Sequence, residues 1–522
     1  MATPQMSCAV RASRHLLTKK PVTFLNSSGL DNLRCLSYGG LRAASTATSN
    51  GRKKERVVIL GSGWAGYGCL RGLDPNKYER ILISPRSYFV FTPLLAGTAV
   101  GTLEFRTVLE PVRRLNPDKF HQGWADDIDF SRKVIRVEAN ITDGLASRTR
   151  LIMKHRLDQN REKGAMFDVE YDKLIIAVGS YSQTFGIEGV REHANFLRDV
   201  GDARKIRIKI LQSFEKAALP ITTDEERKKL LHFAVVGGGP TGIEFAAELH
   251  DLIRDDLVKT YPELMKFVAI TVYDVAPKVL PMFDKTLADY AMDRFARGGI
   301  EVKTRHHLTR VRPDEQCEGC LKLRIKEYGD EEVGAGIVVW STGLMQNPLI
   351  QKLEAKSFKI PGSNTEMLLH RNPKTGGIIT DVNGLRVNVI PNDAAAESPE
   401  VQQEKASILP DVYAIGDCTM ISGLGLPATA QVASQQASYL AKRLNKGDMD
   451  QKPFKFKNLG TMTYLGNWTA IHQSNIDEMK GWMAWVLWRT AYLTRSMSIR
   501  NKITVPFYWA ISWLFGRDIS RF

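Results

Sequence analysis

The sequence predicts an α/β chain built on two successive strand–glycine turn–helix units and closed by an amphipathic helical C-terminal region. Three observations carry the prediction. The run Arg56-Val-Val-Ile-Leu leads into Gly61-Ser62-Gly63-Trp64-Ala65-Gly66, a G-x-G-x-x-G pattern. The pattern returns at Gly237-Gly238-Gly239-Pro240-Thr241-Gly242, again behind an apolar run, Phe233-Ala-Val-Val236. Five of the nine tryptophans fall between residues 482 and 513, interleaved with Lys and Arg.

The chain of 522 residues is long enough for two or three domains with their own cores. With 43% hydrophobic and 25% charged residues it is not a wholly disordered chain. The formal net charge of +15 is concentrated at the ends. Residues 1–54 carry nine Lys/Arg against Asp31, and residues 480–522 carry seven against Asp518. The near-neutral middle argues against a nucleic-acid groove in the body. The N-terminal stretch is rich in Arg, Ser, Ala and Thr, with Arg11, Arg14 and Lys19 flanking Leu16-Leu17. That is the composition of a mitochondrial transit peptide, so residues 1–52 are set apart from the fold. A plain basic tail is the alternative. Cys317-Glu-Gly-Cys320 has no second pair and no spaced histidines, so it reads as a turn in a polar insertion and no metal site is expected.

In the first unit, Gly61 permits the tight turn, Gly63 lets the backbone approach a pyrophosphate, and Gly66 lets helix and strand pack closely. The helix N-terminus that follows offers free N–H groups and the positive end of its dipole. The second strand ends in Ser84-Pro85-Arg86, where an acid for a ribose hydroxyl would normally stand. Residues 88–106, including Thr92-Pro93-Leu94, read as a loop-rich apolar segment near a cofactor. The strand through Ile176 ends in Ala177-Val-Gly179-Ser180, small residues past which a bound cofactor fits. In the second unit the strand Ala269–Asp274 does end on an acid, which favours NAD(H) because it would repel the 2′-phosphate of NADP(H). Its closing strand ends in Ser-Thr342-Gly343. Residues 351–405 are more polar and carry Pro and Gly, and read as a long connection or insertion. A late strand then ends on Gly416-Asp417, and Ala430-Gln431-Val-Ala-Ser-Gln435 opens a helix.

Two Rossmann-like domains with a Gly-Asp strand returning to the first resemble the two-dinucleotide-binding-domain flavoproteins. Disulfide and sulfide:quinone reductases of that superfamily need a cysteine pair at the flavin, and here only Cys418 lies near. The motif set closely resembles mitochondrial type II (alternative, non-proton-pumping) NADH:quinone oxidoreductases. The matching residues are Gly61–Gly66, Ser84–Arg86, Phe91–Leu95, Gly101–Arg106, Gly237–Glu244, Trp340–Gly343, Gly416-Asp417 and Ala430–Gln435. The resemblance implies tightly bound FAD on the first turn, with Asp417 as a flavin ligand. It implies NADH on the second turn and Asp274, and two-electron transfer to ubiquinone at the inner membrane. It places Gln431 and Gln435 at the flavin and quinone; surface glutamines are the alternative. Asp274 stands where many members carry Glu. Glu244 lies in the first helical turn after Gly242, where a charge beside phosphates is awkward, which points instead to a role near the nicotinamide, such as proton delivery to quinone.

The expected domains are 53–200 (FAD, first part), 201–350 (NADH), 351–450 (FAD, second part) and 451–522 (membrane association and dimerisation). No segment is apolar for the roughly 18 residues a span needs. Instead Trp482, Trp485, Trp488, Tyr492, Trp509 and Trp513 alternate with Lys480, Arg489, Arg495, Arg500, Lys502 and Arg517. This reads as a monotopic, in-plane anchor on an anionic lipid surface, with a homodimer expected and the face of the membrane left open; a dimer interface or a core packed on the flavin domain is the alternative, and both roles can coexist. A soluble reductase serving a protein such as ferredoxin, or a nicotinamide-sensing binding protein, are the competing readings.

Overall fold

The first glycine turn is fixed by what a side chain there would strike. In the computed structural model, which describes residues 53–140, 164–360 and 365–521, Gly61 has φ +105°, and a Cβ would lie 2.4 Å from the Ala177 carbonyl oxygen. At Gly66 it would lie 1.9 Å from the Gly61 oxygen, so helix and strand meet backbone to backbone. The second turn repeats this: Gly237 has φ +115°, and a Cβ on Gly242 would lie 2.0 Å from the Gly237 oxygen. The proposed transit segment lies outside the described residues.

The described residues from Lys54 onward form one body. Its larger sheet has a parallel centre, Ser407–Ala414, Lys173–Ile176, Glu55–Leu60, Tyr78–Ser84 and Lys119–Asp129. The register sets Leu60 beside Ile176 and Ile83. Its central strands read as continuous apolar runs because both faces are covered, and Val57, Val58 and Ile59 are fully buried. Antiparallel strands extend both edges, Val134–Ala139 and Met166–Glu170 on one side, Arg386–Pro391 and Glu366–Leu369 on the other. The stretch 351–405 is therefore more than a connection or insertion: Glu366–Leu369 and Arg386–Pro391 belong to the larger sheet. Much of it adds strands to the sheet, and these are short, two to six residues each, and separated by turns, so no long apolar run marks them in the sequence.

The second sheet is all parallel, in the order Asn195–Phe196, Ile337–Trp340, His232–Val236, Ala269–Asp274, Ile300–Thr304. Its first strand lies before residue 201. A side sheet, Leu308–Pro313, Leu321–Ile325 and Glu332–Ala335, carries Cys317 and Cys320 in its first turn, bonded to each other as a disulfide. The pair lies away from the glycine turns.

The C-terminal region is an antiparallel sheet, Thr461–Tyr464, Ala470–Gln473 and Glu478–Gly481, followed by helices Trp482–Arg495 and Ile499–Phe515. No helix among the described residues is long and apolar enough to cross a membrane. The aromatic–basic set divides between two faces. Trp485, Trp488 and Trp509 are buried. Arg489 does not face outward as the sequence suggested, because its guanidinium lies 4.4 Å and 4.3 Å from the ring centroids of Trp485 and Trp509. Arg517 also turns inward and pairs with Asp256 at 2.8 Å. Trp482, Trp513, Arg495, Arg500 and Lys502 remain exposed. Ile499, Ile503, Phe507 and Leu514 are more than half exposed and share one helical face.

Asn501 docks the last helix: its Nδ2 donates to Glu110 Oε1 at 2.7 Å, with both residues buried. Asn501→Ala leaves a buried carboxylate short of a donor. Chemical denaturation is expected to register a loss of about 1–3 kcal/mol.

Candidate active site

The first glycine turn, the Ala177–Ser180 turn, the Gly416-Asp417 turn and the start of helix Ala430–Lys446 converge because their strands are neighbours in one sheet. All open at the C-terminal edge of the parallel strands, where α/β sheets bind ligands. The cleft they enclose has a volume of about 530 Å³. Gly61, Ser62, Gly63, Trp64 and Ala65 line it, whereas Gly66 sits behind against Gly61. Ser84, Pro85, Arg86 and Thr92 form one wall; Ala177, Gly179, Ser180, Gly416, Asp417 and Ala430 form the floor. Thr342 and Gly343 come from the second sheet, and of the second turn only Thr241 reaches the cleft.

The floor is charged and ordered. Ser180 Oγ donates to Asp417 Oδ2 at 3.2 Å and accepts from Arg198 Nη2 at 3.3 Å. Arg86 Nε pairs with Asp199 Oδ2 at 2.9 Å, and the Tyr88 hydroxyl donates to Asp199 Oδ1 at 3.1 Å. Asp199 and Asp202 form the capping box of helix Val200–Ala218, which fixes the segment that carries Arg198. Arg198 was not singled out in the sequence. The capping pattern Asp199-x-x-Asp202 beside it was its only signal. Burial lowers the Arg198 pKa, and its Nη1 has no hydrogen-bond partner among the described residues. Ser84, in the usual acid position, instead donates to Ser62 Oγ at 2.8 Å.

These residues fit FAD. Gly63 has nothing within 4 Å of where a Cβ would stand, which leaves its backbone open to a diphosphate. The orphaned Arg198 Nη1 provides a cation among the lining groups. The second turn fits a dinucleotide with a free ribose: the Gly238 and Ala276 amides donate to the two oxygens of Asp274, the latter at 2.7 Å. Gly237, Gly238, Gly239, Pro240 and Gly242 form that turn outside the first cleft.

Glu244 does not face the second turn. Its carboxylate is buried in a small cavity lined by Pro93, Leu94, Thr102, Glu248, Tyr464 and Trp488, among others. The Tyr464 amide and Trp488 Nε1 each donate to Oε1 at 3.2 Å. Burial pushes its pKa up to about 8, and the neighbouring Glu248 adds to the shift against those two hydrogen bonds. Gln431 and Gln435 share a face, but they clamp the Lys457–Gly460 backbone. Gln431 accepts from the Leu459 amide at 2.9 Å and Gln435 from the Lys457 amide at 3.0 Å. The neighbouring Gln436 reaches the floor of the cleft, accepting from the Gly416 amide at 2.6 Å. Cys418 is fully buried, and burial pushes its thiol up to about 12, far from a reactive thiolate.

Two glycine turns on two sheets, the first lining a cleft to which the second sheet adds Thr241, Thr342 and Gly343, with no cysteine pair among the described lining residues, define a flavin- and nicotinamide-dependent oxidoreductase. A profile of the pyridine nucleotide-disulphide oxidoreductase family matches residues 55–366, and one of the NDH2 C-terminal domain matches residues 458–518. The chain is 38% identical to a probable NADH dehydrogenase of Dictyostelium discoideum over 90% of its own length and 92% of that protein's. It is 36% identical to internal alternative NAD(P)H-ubiquinone oxidoreductase A1, mitochondrial, of Solanum tuberosum, covering 90% and 88%. The structure of NDH2 from Plasmodium falciparum in complex with NADH matches with a TM-score of 0.71 and 26% identity, covering 90% of this chain and all of that one. The chain belongs to the type II NAD(P)H–ubiquinone oxidoreductases.

Glu244 gives a pH-dependent stability of known sign. Between its ordinary value of 4.5 and about 8, the folded protein holds a proton that the unfolded chain has lost. Its contribution is therefore full below that window and falls as pH rises through it. The difference in melting temperature between wild type and Glu244→Gln is expected to move against the wild type from pH 5 to pH 8. A pH-independent difference would place the Glu244 pKa in the ordinary range.

Proposed function

We propose that this chain oxidises NADH and passes two electrons through tightly bound FAD to ubiquinone at the mitochondrial inner membrane, without pumping protons. One observation carries the reading. Thr92 lines the flavin cleft, while the next residues, Pro93 and Leu94, line the cavity that holds Glu244. A protonated carboxyl thus stands one residue beyond the cleft, walled by the C-terminal helix that also supplies Trp488.

FAD held by these residues would supply hydride acceptance from NADH and onward two-electron transfer. The chain's residues arrange the rest. Asp274 and the Gly237–Gly242 turn hold the dinucleotide from the NADH side. Arg198, Ser180 and Asp417 fix the flavin-side floor. Trp64, its Nε1 donating to Thr92 Oγ1 at 3.1 Å, lines one side of the cleft. Glu244 holds a proton that ubiquinone needs on reduction. The exposed face Ile499–Leu514, with Arg495, Arg500 and Lys502 beside it, lies in the plane of an anionic lipid surface and brings the quinone route to the bilayer.

In an anaerobic assay, NADH should bleach the flavin and a short-chain ubiquinone should restore it. Glu244→Gln should leave FAD bound and slow the second step by on the order of a hundredfold. Flavin that stays bleached when quinone is added to the wild type would end this reading. For the membrane, the triple change Ile503→Gln, Phe507→Gln and Leu514→Gln should release the enzyme from cardiolipin-containing liposomes in a sedimentation assay. NADH oxidation with a water-soluble quinone should persist, and continued sedimentation would place the anchor elsewhere.

A further inference from the structure

We propose that Glu248 returns a proton to Glu244 after each turnover, with Thr102 and Arg517 holding its carboxyl in place. This rests on the quinone-reductase reading. The balance requires such a route. NADH supplies two electrons and one proton as hydride, and ubiquinone becomes ubiquinol by taking two electrons and forming two O–H bonds. One proton per turnover must come from water, yet Glu244 is 8% exposed.

Glu244 and Glu248 are four residues apart on helix Pro240–Leu252 and share its inner face. Both line the same small cavity, whose volume of about 10 Å³ is close to what one water needs. Thr102 Oγ1 donates to Glu248 Oε2 at 2.9 Å and accepts from Arg517 Nε at 3.0 Å. The next carboxylate, Asp251, accepts from the Tyr464 hydroxyl at 2.6 Å and the Asn467 amide at 3.0 Å. His250 Nδ1, 3.9 Å from Asp251 Oδ1, is the part-exposed group next to it. The series His250, Asp251, Glu248, Glu244 thus runs along one helix from the surface to the cavity.

The charged neighbours set its direction. Arg254 faces Asp251 at 3.5 Å, and Arg517 pairs with Asp255 and Asp256 on the same helix side. Arg489 and Tyr492 face the carboxylates from the C-terminal helix, and Tyr464 from its sheet. Burial would raise Asp251, but bonds from His250, Tyr464 and Asn467 and the Arg517 charge hold it low. Burial raises Glu248 despite Arg517 and Thr102, and raises Glu244 to about 8. Proton affinity therefore increases inward.

The test uses the purified holoenzyme and Glu248→Gln, an isosteric change that keeps an acceptor for Thr102. Stopped flow measures flavin bleaching by NADH and reoxidation by short-chain ubiquinone across about pH 6–9. The ratio of reoxidation to bleaching rate constants should fall on the order of tenfold, and reoxidation should then decline about tenfold per pH unit. The protonated Glu244 carboxyl should also exchange with D2O more slowly by infrared spectroscopy, a readout independent of turnover. A merely structural Glu248 predicts wild-type ratio, pH profile and exchange, and that result overturns the proposal. Should Glu248→Gln not fold, Thr102→Val and Arg517→Met keep both carboxyls and should show the same changes in smaller degree; wild-type behaviour in both overturns it equally. A wild type that quinone does not reoxidise refutes the functional reading, while the exchange measurement still decides the relay.

Discussion

Helix Pro240–Leu252 carries Glu244, Glu248 and Asp251 into the interior, and the rest of the molecule is arranged around satisfying them. A buried carboxylate is costly unless it is protonated or supplied with donors. Here the donors come from distant parts of the chain: Thr102 from the first domain, and Tyr464, Asn467 and Trp488 from the C-terminal region, while Arg517, beyond the last helix, donates to Thr102 in turn. The interior acids thereby bind the C-terminal region to the second dinucleotide unit. Gly516, with φ +84°, lets the chain turn so that the Arg517 amide meets Asp256.

The flavin-side cleft solves a related problem with opposite chemistry. Its floor is a short series of charges, Asp417, Arg198, Arg86 and Asp199, joined through Ser180 and Tyr88. A helix capping box holds the series in register. A rigid, partly desolvated floor of this kind interacts strongly with a cofactor while changing little itself. Arg198 retains an unpaired donor in that floor.

The C-terminal helices show how one amphipathic sequence serves two surfaces. Their inner aromatics do more than fill space: Trp488 caps Glu244, and Trp485 with Trp509 sandwiches Arg489. Their outer apolar residues Ile499, Ile503, Phe507 and Leu514 are each more than half exposed. A cation held between indoles and a cation left to solvent look alike in the sequence. Only the packing of the helices separates Arg489 from Arg495.

The sequence by itself determined the two glycine turns, since Gly61, Gly66, Gly237 and Gly242 sit where any Cβ would strike backbone. It also determined the parallel sheets, because apolar strands buried on both faces are legible as unbroken runs, and the acid at Asp274. Local geometry forces these features, so a local pattern reveals them. Tertiary structure decided the rest. It made residues 351–405 part of the sheet, turned Gln431 and Gln435 onto the Lys457–Gly460 backbone, and brought Arg198 to the cleft. It also placed the Glu244 carboxyl against Tyr464 and Trp488, more than 200 residues away, rather than against the turn two residues before it. A helix start fixes where a side chain is attached. What that side chain meets, and hence whether it keeps its proton, is set by elements the sequence brings in from afar.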